Sequence, residues 1–218
     1  MTAEQRSEEQ VGTAPGLFLC FEGGDGSGKS TQTGLLHDEL VRRGLDVLVT
    51  RQPGGTPLGA RIRQLLLQGE RVSARAEALL FAADKAHHVD EVILPALARG
   101  AVVITDRYTD SAIAYQGAGR GLGADDLRGL QHWAVDGLYP DLTVLLDVHP
   151  RVGRERRGQP PDRMESEAEP FHAAVREAFV ALAAAAPRRY LVLDACLPSD
   201  EIHDRVLARV EQILERRR

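Results

Sequence analysis

The segment Gly23-Gly24-Asp25-Gly26-Ser27-Gly28-Lys29-Ser30 has the spacing G-x-x-x-x-G-K-[ST]. Its residue types suit one chemistry, the grip on a polyphosphate. Glycines let the backbone turn its N–H groups toward an anion. Lys29 would bring a compact positive charge to the β- and γ-phosphates, and the Ser30 hydroxyl would be a Mg2+ ligand. Nucleotide contacts are expected along Gly23 to Thr31. The motif also needs a buried strand before it and a helix after it, with the positive helix end at the phosphate. Leu17-Phe18-Leu19-Cys20-Phe21 supplies the strand, and Thr31 to Arg43 supplies the helix. A glycine-rich turn that binds nothing is the plain alternative, and the matching context argues against it. The motif implies ATP or GTP with Mg2+ and leaves the acceptor open.

Two further segments carry charge to the same place. Thr50-Arg51-Gln52-Pro53-Gly54-Gly55-Thr56 follows a second apolar run, and Asp106-Arg107-Tyr108 follows a third. Parallel α/β sheets bind ligands at the carboxyl ends of their strands. Arg51 and Arg107 are therefore expected to share one crevice, where they could clamp an acceptor phosphate bidentately. Asp106 ends its strand as a Walker-B-like carboxylate does, which suits a magnesium or water-mediated role. The bland readings are solvated loop arginines and a helix-capping aspartate.

The positioning elements can be read from the apolar runs. Asp46 to Thr50, Ala101 to Thr105, Leu142 to Leu146 and Tyr190 to Leu193 join the first run as continuous apolar stretches, which suits strands buried on both faces. Helical segments are expected at Thr31 to Arg43, Ala74 to Arg99 with a kink or stop at Pro95, Ala124 to Val135, Phe171 to Ala185 and Asp200 to Arg217. This alternation predicts an α/β fold. Arg151 to Arg163 fits neither element type and reads as a mobile arginine-rich flap. Trp133 is expected to pack a helix against the sheet. Met1 to Pro15 is polar and reads as a disordered tail, leaving one domain over 16–218 with a lid at about 151–163.

Composition narrows the class. The formal net charge of −5 argues against a general nucleic-acid coat. Cys20 and Cys196 match no metal spacing and fit a reducing cytosol. No apolar run approaches a membrane span. Only Lys29 and Lys85 are lysines among 27 basic residues.

Asp106-Arg107-Tyr108 continues to Ser111, Ala114-Tyr115-Gln116-Gly117 and Gly119-Arg120-Gly121. With Leu80-Phe81-Ala82-Ala83-Asp84-Lys85, Pro140-Asp141-Leu142-Thr143 and Asp162-Arg163-Met164-Glu165, the chain resembles the thymidylate kinases, over nearly its whole length. The resemblance implies a three-layer phosphate-loop NTPase fold, with a five-stranded parallel sheet in the order 2-3-1-4-5. It implies an ATP:dTMP phosphotransferase that uses Mg2+ and has a bacterial-type arginine lid. It also implies a cytoplasmic homodimer. Phe81 would stack on thymine and Lys85 would approach the base O4. Asp25 would hold the deoxyribose 3′-hydroxyl. Ser111, Tyr115 and Gln116 would line sugar and base, and Arg51 and Arg107 would hold the acceptor phosphate. Read apart from the resemblance, Phe81 and Lys85 suit a core phenylalanine and a snorkelling lysine.

Three positions depart from the family pattern. The phosphate loop lacks the basic residue that some thymidylate kinases carry, so charge on the transferred group must come from Arg151, Arg154, Arg156, Arg157 or Arg163, with Arg154 and Arg157 the leading candidates. Gln52 stands where relatives commonly have Glu, and Lys85 where most have Arg. Two rival classes remain. A deoxynucleoside kinase would need a base for its neutral hydroxyl, with Glu22 as the nearby candidate. A phosphate-loop switch or partition ATPase would act as a binding module. It lacks support from an Asn-Lys-x-Asp segment, since the chain contains no Asn.

Overall fold

The computed structural model describes residues 16–156, 158 and 160–217. The expected tail at 1–15, and Arg157 of the flap, lie outside the described residues. Among the described residues there are five strands: β1 (Leu17–Glu22), β2 (Val47–Arg51), β3 (Val102–Asp106), β4 (Leu142–Asp147) and β5 (Tyr190–Asp194). They form one parallel sheet in the order β2-β3-β1-β4-β5, as the resemblance implied. All six residues of β1 are buried, because the central strand is covered on both faces.

Alternation along the strands splits the core in two. Leu17, Leu19, Phe21, Val102, Ile104, Val144 and Leu146 face one way. They pack on Leu36 and Leu40 of α1 (Lys29–Arg42) and on Ile202, Val206 and Val210 of α9 (Ser199–Arg217). Leu36 and Leu40 are fully buried, each contributing about 1.5–3 kcal/mol of transfer free energy. Phe18, Cys20 and Val103 face the other way, against Val89, Ile93 and Leu97. On that side α8 (Glu169–Ala185) adds Phe171, Val175 and Phe179 around Tyr115.

The strands match expectation to within a residue at each end, and three other readings need correction. The stretch Ala74 to Arg99 is helical to Ala98 as expected, but its irregularity lies ahead of Pro95 rather than as a kink or stop at it. It runs as α3 (Ala74–His88), a π-helical turn (Val89–Ile93) and α4 (Leu94–Ala98). Pro95 sits in the first turn of α4, where its missing N–H costs nothing, and the wide turn ahead of it absorbs the break. The flap begins with a helix, α7 (Pro150–Glu155). His149 accepts from the Arg151 N–H at 3.3 Å, and Pro150 occupies the first turn. Trp133 is 80% exposed. Its helix α6 (Ala124–Ala134) buries Leu127, Gln131 and Ala134 at spacings of four and three, so Trp133 points away from that stripe.

One helix of more than two turns escaped sequence reading. It is α2 (Pro57–Leu67), capped by Thr56, whose hydroxyl accepts from the Gly59 N–H at 2.9 Å. After β3 the chain forms a short α5 (Thr109–Ala112) and then a π-helical stretch, Ile113–Gly119. Among the described residues, no helix is long and apolar enough to cross a membrane.

Candidate active site

Register places the chemistry. Asp106 pairs with Phe21 on one side and with Arg51 on the other, so three strand ends lie in one row. The loops leaving β1, β2 and β3 therefore open toward the same side. An open cleft of about 680 Å³ runs along them, lined by the phosphate loop from Asp25 to Thr31 and by Arg51, Asp106 and Arg107. The expected convergence of Arg51 with Arg107 is thus present.

The phosphate loop is held by close approach. Gly26 has φ of +73°, and a methyl group there would run into the Gly153 backbone of α7. The root of the flap thus packs on the loop. The Lys29 ammonium curls onto its own loop, donating to the carbonyls of Gly23 (3.1 Å) and Gly24 (2.9 Å) and to Ser27 Oγ (3.4 Å). Burial and then Arg107 lower its pKa.

Arg107 is the hinge between the two halves of the site. It has φ of +68°, and its guanidinium donates to the Gly23 carbonyl (3.0 Å), to Ser111 Oγ (3.3 Å) and to Asp25 Oδ1 (2.5 Å). The Tyr115 hydroxyl donates to Asp25 Oδ2 at 3.1 Å. Burial would raise the Asp25 pKa, but Arg107, Lys29 and the Tyr115 hydrogen bond outweigh it and hold the carboxyl at about 2.

Residues also suit a divalent cation. Ser30 Oγ lies 3.3 Å from Asp106 Oδ2, while Asp106 Oδ1 is buried without a hydrogen-bond partner among the described residues. A hydroxyl beside a half-satisfied carboxylate is a hard oxygen donor set of the kind Mg2+ takes.

A second cavity of about 130 Å³ adjoins the cleft and shares Asp25, Gln52, Arg63 and Arg107 with it. It contains Phe81, Lys85, Ser111, Tyr115 and Gln116, which sequence reading assigned to the nucleoside. Lys85 is 2% exposed, with its ammonium 5.3 Å from the Phe81 ring centre. Burial pushes its pKa down to about 8, against the pull of Asp84 and Glu22. The Gln116 amide donates to Glu77 Oε1 at 3.0 Å, which orients it from behind.

Glu22, the candidate base of the rival reading, lines neither cavity. It accepts from the Tyr108 N–H (2.9 Å), the Ser111 N–H (3.1 Å) and the Ser111 hydroxyl (2.6 Å). Three donors occupy it, so its role is to hold the start of α5.

The flap arginines separate. Arg156 reaches the cleft and donates to the Ala195 carbonyl at 2.8 Å. Arg163 is locked away by Glu77 (2.7 Å) and the Leu66 carbonyl (2.6 Å). Arg154 is exposed and lines an outer opening with Pro161 and Glu165. The structure does not bring it to the phosphate loop. Sequence reading missed Arg63, which lines both cavities and donates to the Pro53 carbonyl at 3.1 Å. Its signal was the unrecognised helix α2, which turns Arg63 toward the site.

Comparison with known proteins agrees with this geometry. The family model for thymidylate kinase matches residues 21–206. A thymidylate kinase of Clavibacter michiganensis subsp. michiganensis is 51% identical, over 91% of this chain and 96% of that protein. One from Leifsonia xyli subsp. xyli is 53% identical, over 90% and 95% respectively. One from Cutibacterium acnes is 51% identical, over 92% and 99%.

Proposed function

The chain belongs to the thymidylate kinase family, and from that premise we propose how its own residues carry the phosphorylation of dTMP to dTDP with ATP. The observation that carries the reading is the pair of joined cavities, one built for a polyphosphate and one for a flat ring, with Asp25, Arg63 and Arg107 on their shared wall.

ATP phosphates lie in the cleft against the backbone N–H groups of the loop, with Lys29 redirected from its own carbonyls to the β- and γ-phosphates. The dTMP ring lies against Phe81, with Lys85 toward its O4 and Gln116 and Ser111 at its edges. Tyr115 and Asp25 hold the sugar, and packing at Tyr115 excludes a 2′-hydroxyl. Arg51, Arg63 and Arg107 hold the acceptor phosphate. An oxygen of that phosphate attacks the γ-phosphorus as the bond to ADP breaks, in line. The acceptor already ionises with a second pKa near ~6, so no strong base is needed. Ser30 and Asp106 would hold Mg2+, which when bound neutralises phosphate charge. The remaining work is positioning, neutralisation and exclusion of water. Arg154 and Arg157 are assigned to the transferred group on closure of a lid at about 151–163.

The protein is further assigned to the cytoplasm as one kinase domain over 16–218 acting in a homodimer. Exposed Trp133 on α6 and Leu79 on α3, 80% and 58% exposed, support an apolar helical interface. Trp133 is the single tryptophan, so a concentration-dependent blue shift of its emission checks the dimer.

The activity is tested by a coupled ADP-release assay with dTMP, dUMP, thymidine, GMP and no acceptor. Fast turnover with dTMP is expected. Fast turnover with thymidine alone, or without acceptor, overturns the reading.

A further inference from the structure

Lys85 is a buried amine with almost nothing bound to it. Among the described residues its one hydrogen bond runs to the Phe81 carbonyl at 3.5 Å, the outer limit for such a contact, and its ammonium also lies over the Phe81 ring. Lys29 differs, because its three protons face three acceptors. The Lys85 side chain lines the smaller cavity beside the Phe81 ring, and Arg63 and Arg107 line that same cavity. Such a cavity offers a ring-stacking surface, the Arg63 guanidinium and the Asp25-paired Arg107 as anion contacts, and the carboxylates of Asp25, Asp162 and Glu165, around one weakly held amine.

We propose that Lys85 is a nucleophilic amine that takes a flat aromatic aldehyde bearing a phosphate group as a reversible imine. The neutral amine nitrogen attacks the aldehyde carbon and forms a C–N bond. The carbonyl oxygen leaves as water, carrying the two protons of the amine, and a C=N bond remains. Nothing is oxidised or reduced, and no co-reactant is consumed.

Burial makes the neutral amine accessible. With its pKa down at about 8, roughly two orders of magnitude more of it is unprotonated at neutral pH than for a solvated lysine. Desolvation in an apolar pocket is a general route to an imine-forming lysine. Asp84, Glu22 and Cys20 pull the other way, and Asp84 is the largest of these effects. Any such adduct would occupy the site assigned above to the thymine ring, and phosphorylated aldehydes of this class would inhibit the enzyme.

The test uses the full chain with pyridoxal 5′-phosphate. A visible imine band should form, vanish on borohydride reduction, and leave an adduct that maps to the Lys85 peptide. Only two lysines, besides the amino terminus, need to be told apart. Lys85→Arg keeps the charge without the nucleophile and should lose the band. Pyridoxal without its phosphate should react weakly. An adduct that maps equally to Lys29, or survives in Lys85→Arg, overturns the proposal, as does equal labelling by pyridoxal. Prior addition of dTMP should prevent the adduct if both readings hold. Failure of the untreated enzyme to phosphorylate dTMP would sink the functional reading while the peptide map still decides the lysine.

Discussion

Arg107 and Asp25 form an ion pair at 2.5 Å that ties the loop after β3 to the phosphate loop after β1. The same guanidinium reaches the Gly23 carbonyl and Ser111, so one side chain fixes the relative position of donor and acceptor loops.

This pair makes stability pH-dependent. Asp25 titrates at about 2 in the fold, below the ~3.9 of a free carboxyl. A depressed carboxyl pKa stabilises the fold above the unfolded value, and that contribution disappears as pH falls from about 4 through 2. Asp25→Asn should cost about 2 kcal/mol at neutral pH. Urea midpoints of the two proteins should converge as the pH approaches 2.

Lys85→Met should raise the KM for dTMP by about tenfold or more while leaving kcat closer to wild type, since it removes one charged hydrogen bond to the base. The wild-type KM should rise as pH passes about 8, where the buried ammonium loses its proton. Lys85→Arg should abolish that rise. The facing groups Asp84 and Glu22 are fixed contributors to the same profile.

Asp106→Asn should raise the Mg2+ concentration for half-maximal turnover by about tenfold. Ser30→Ala should act in the same direction. A chelator should stop wild-type turnover and added Mg2+ should restore it. Unchanged Mg2+ dependence in both variants would remove these residues from the metal's shell.

Glu77 is buried under Arg120, Arg163 and Gln116. Glu77→Gln takes the carboxylate from Arg163 and leaves Arg120 with Glu167 alone, and should cost about 3 kcal/mol, or about 10 °C in Tm. Calorimetry checks it. The variant should also raise the KM for dTMP, because Gln116 loses its rear support.

Arg154→Ala and Arg157→Ala should lower kcat about a hundredfold while leaving dTMP affinity near wild type. Arg156→Ala should instead raise the KM for ATP, as its side chain already lies on the cleft wall. Full turnover in both kcat variants and in their double mutant would remove the lid from the chemistry.

The strands and the phosphate loop were legible because continuous apolar runs and a glycine-lysine-serine spacing each have few physical alternatives. Trp133 was misread because an aromatic residue on a helix says nothing of which face it takes. The flap was misread because Gly158 and Pro160-Pro161 mark a break for the whole segment, yet Pro150 in a first turn starts a helix that runs to Glu155. Arg63 went unseen because its helix went unseen.

By itself, the sequence determined the reaction class. The phosphate loop, Arg51, Asp106 and Arg107 sit at strand ends, and a parallel sheet sends all its strand ends to one side. The tertiary structure decided which charges are free to act. Glu22 is satisfied by Tyr108 and Ser111, Arg163 is bound by Glu77, and Lys85 is buried with only a long hydrogen bond and a ring contact, both to Phe81, among the described residues. Those outcomes depend on partners 4 to 89 residues away in sequence. Spacing encodes which chemistry a chain can attempt; burial and pairing, which exist only once the chain is packed, set which side chains remain available for it.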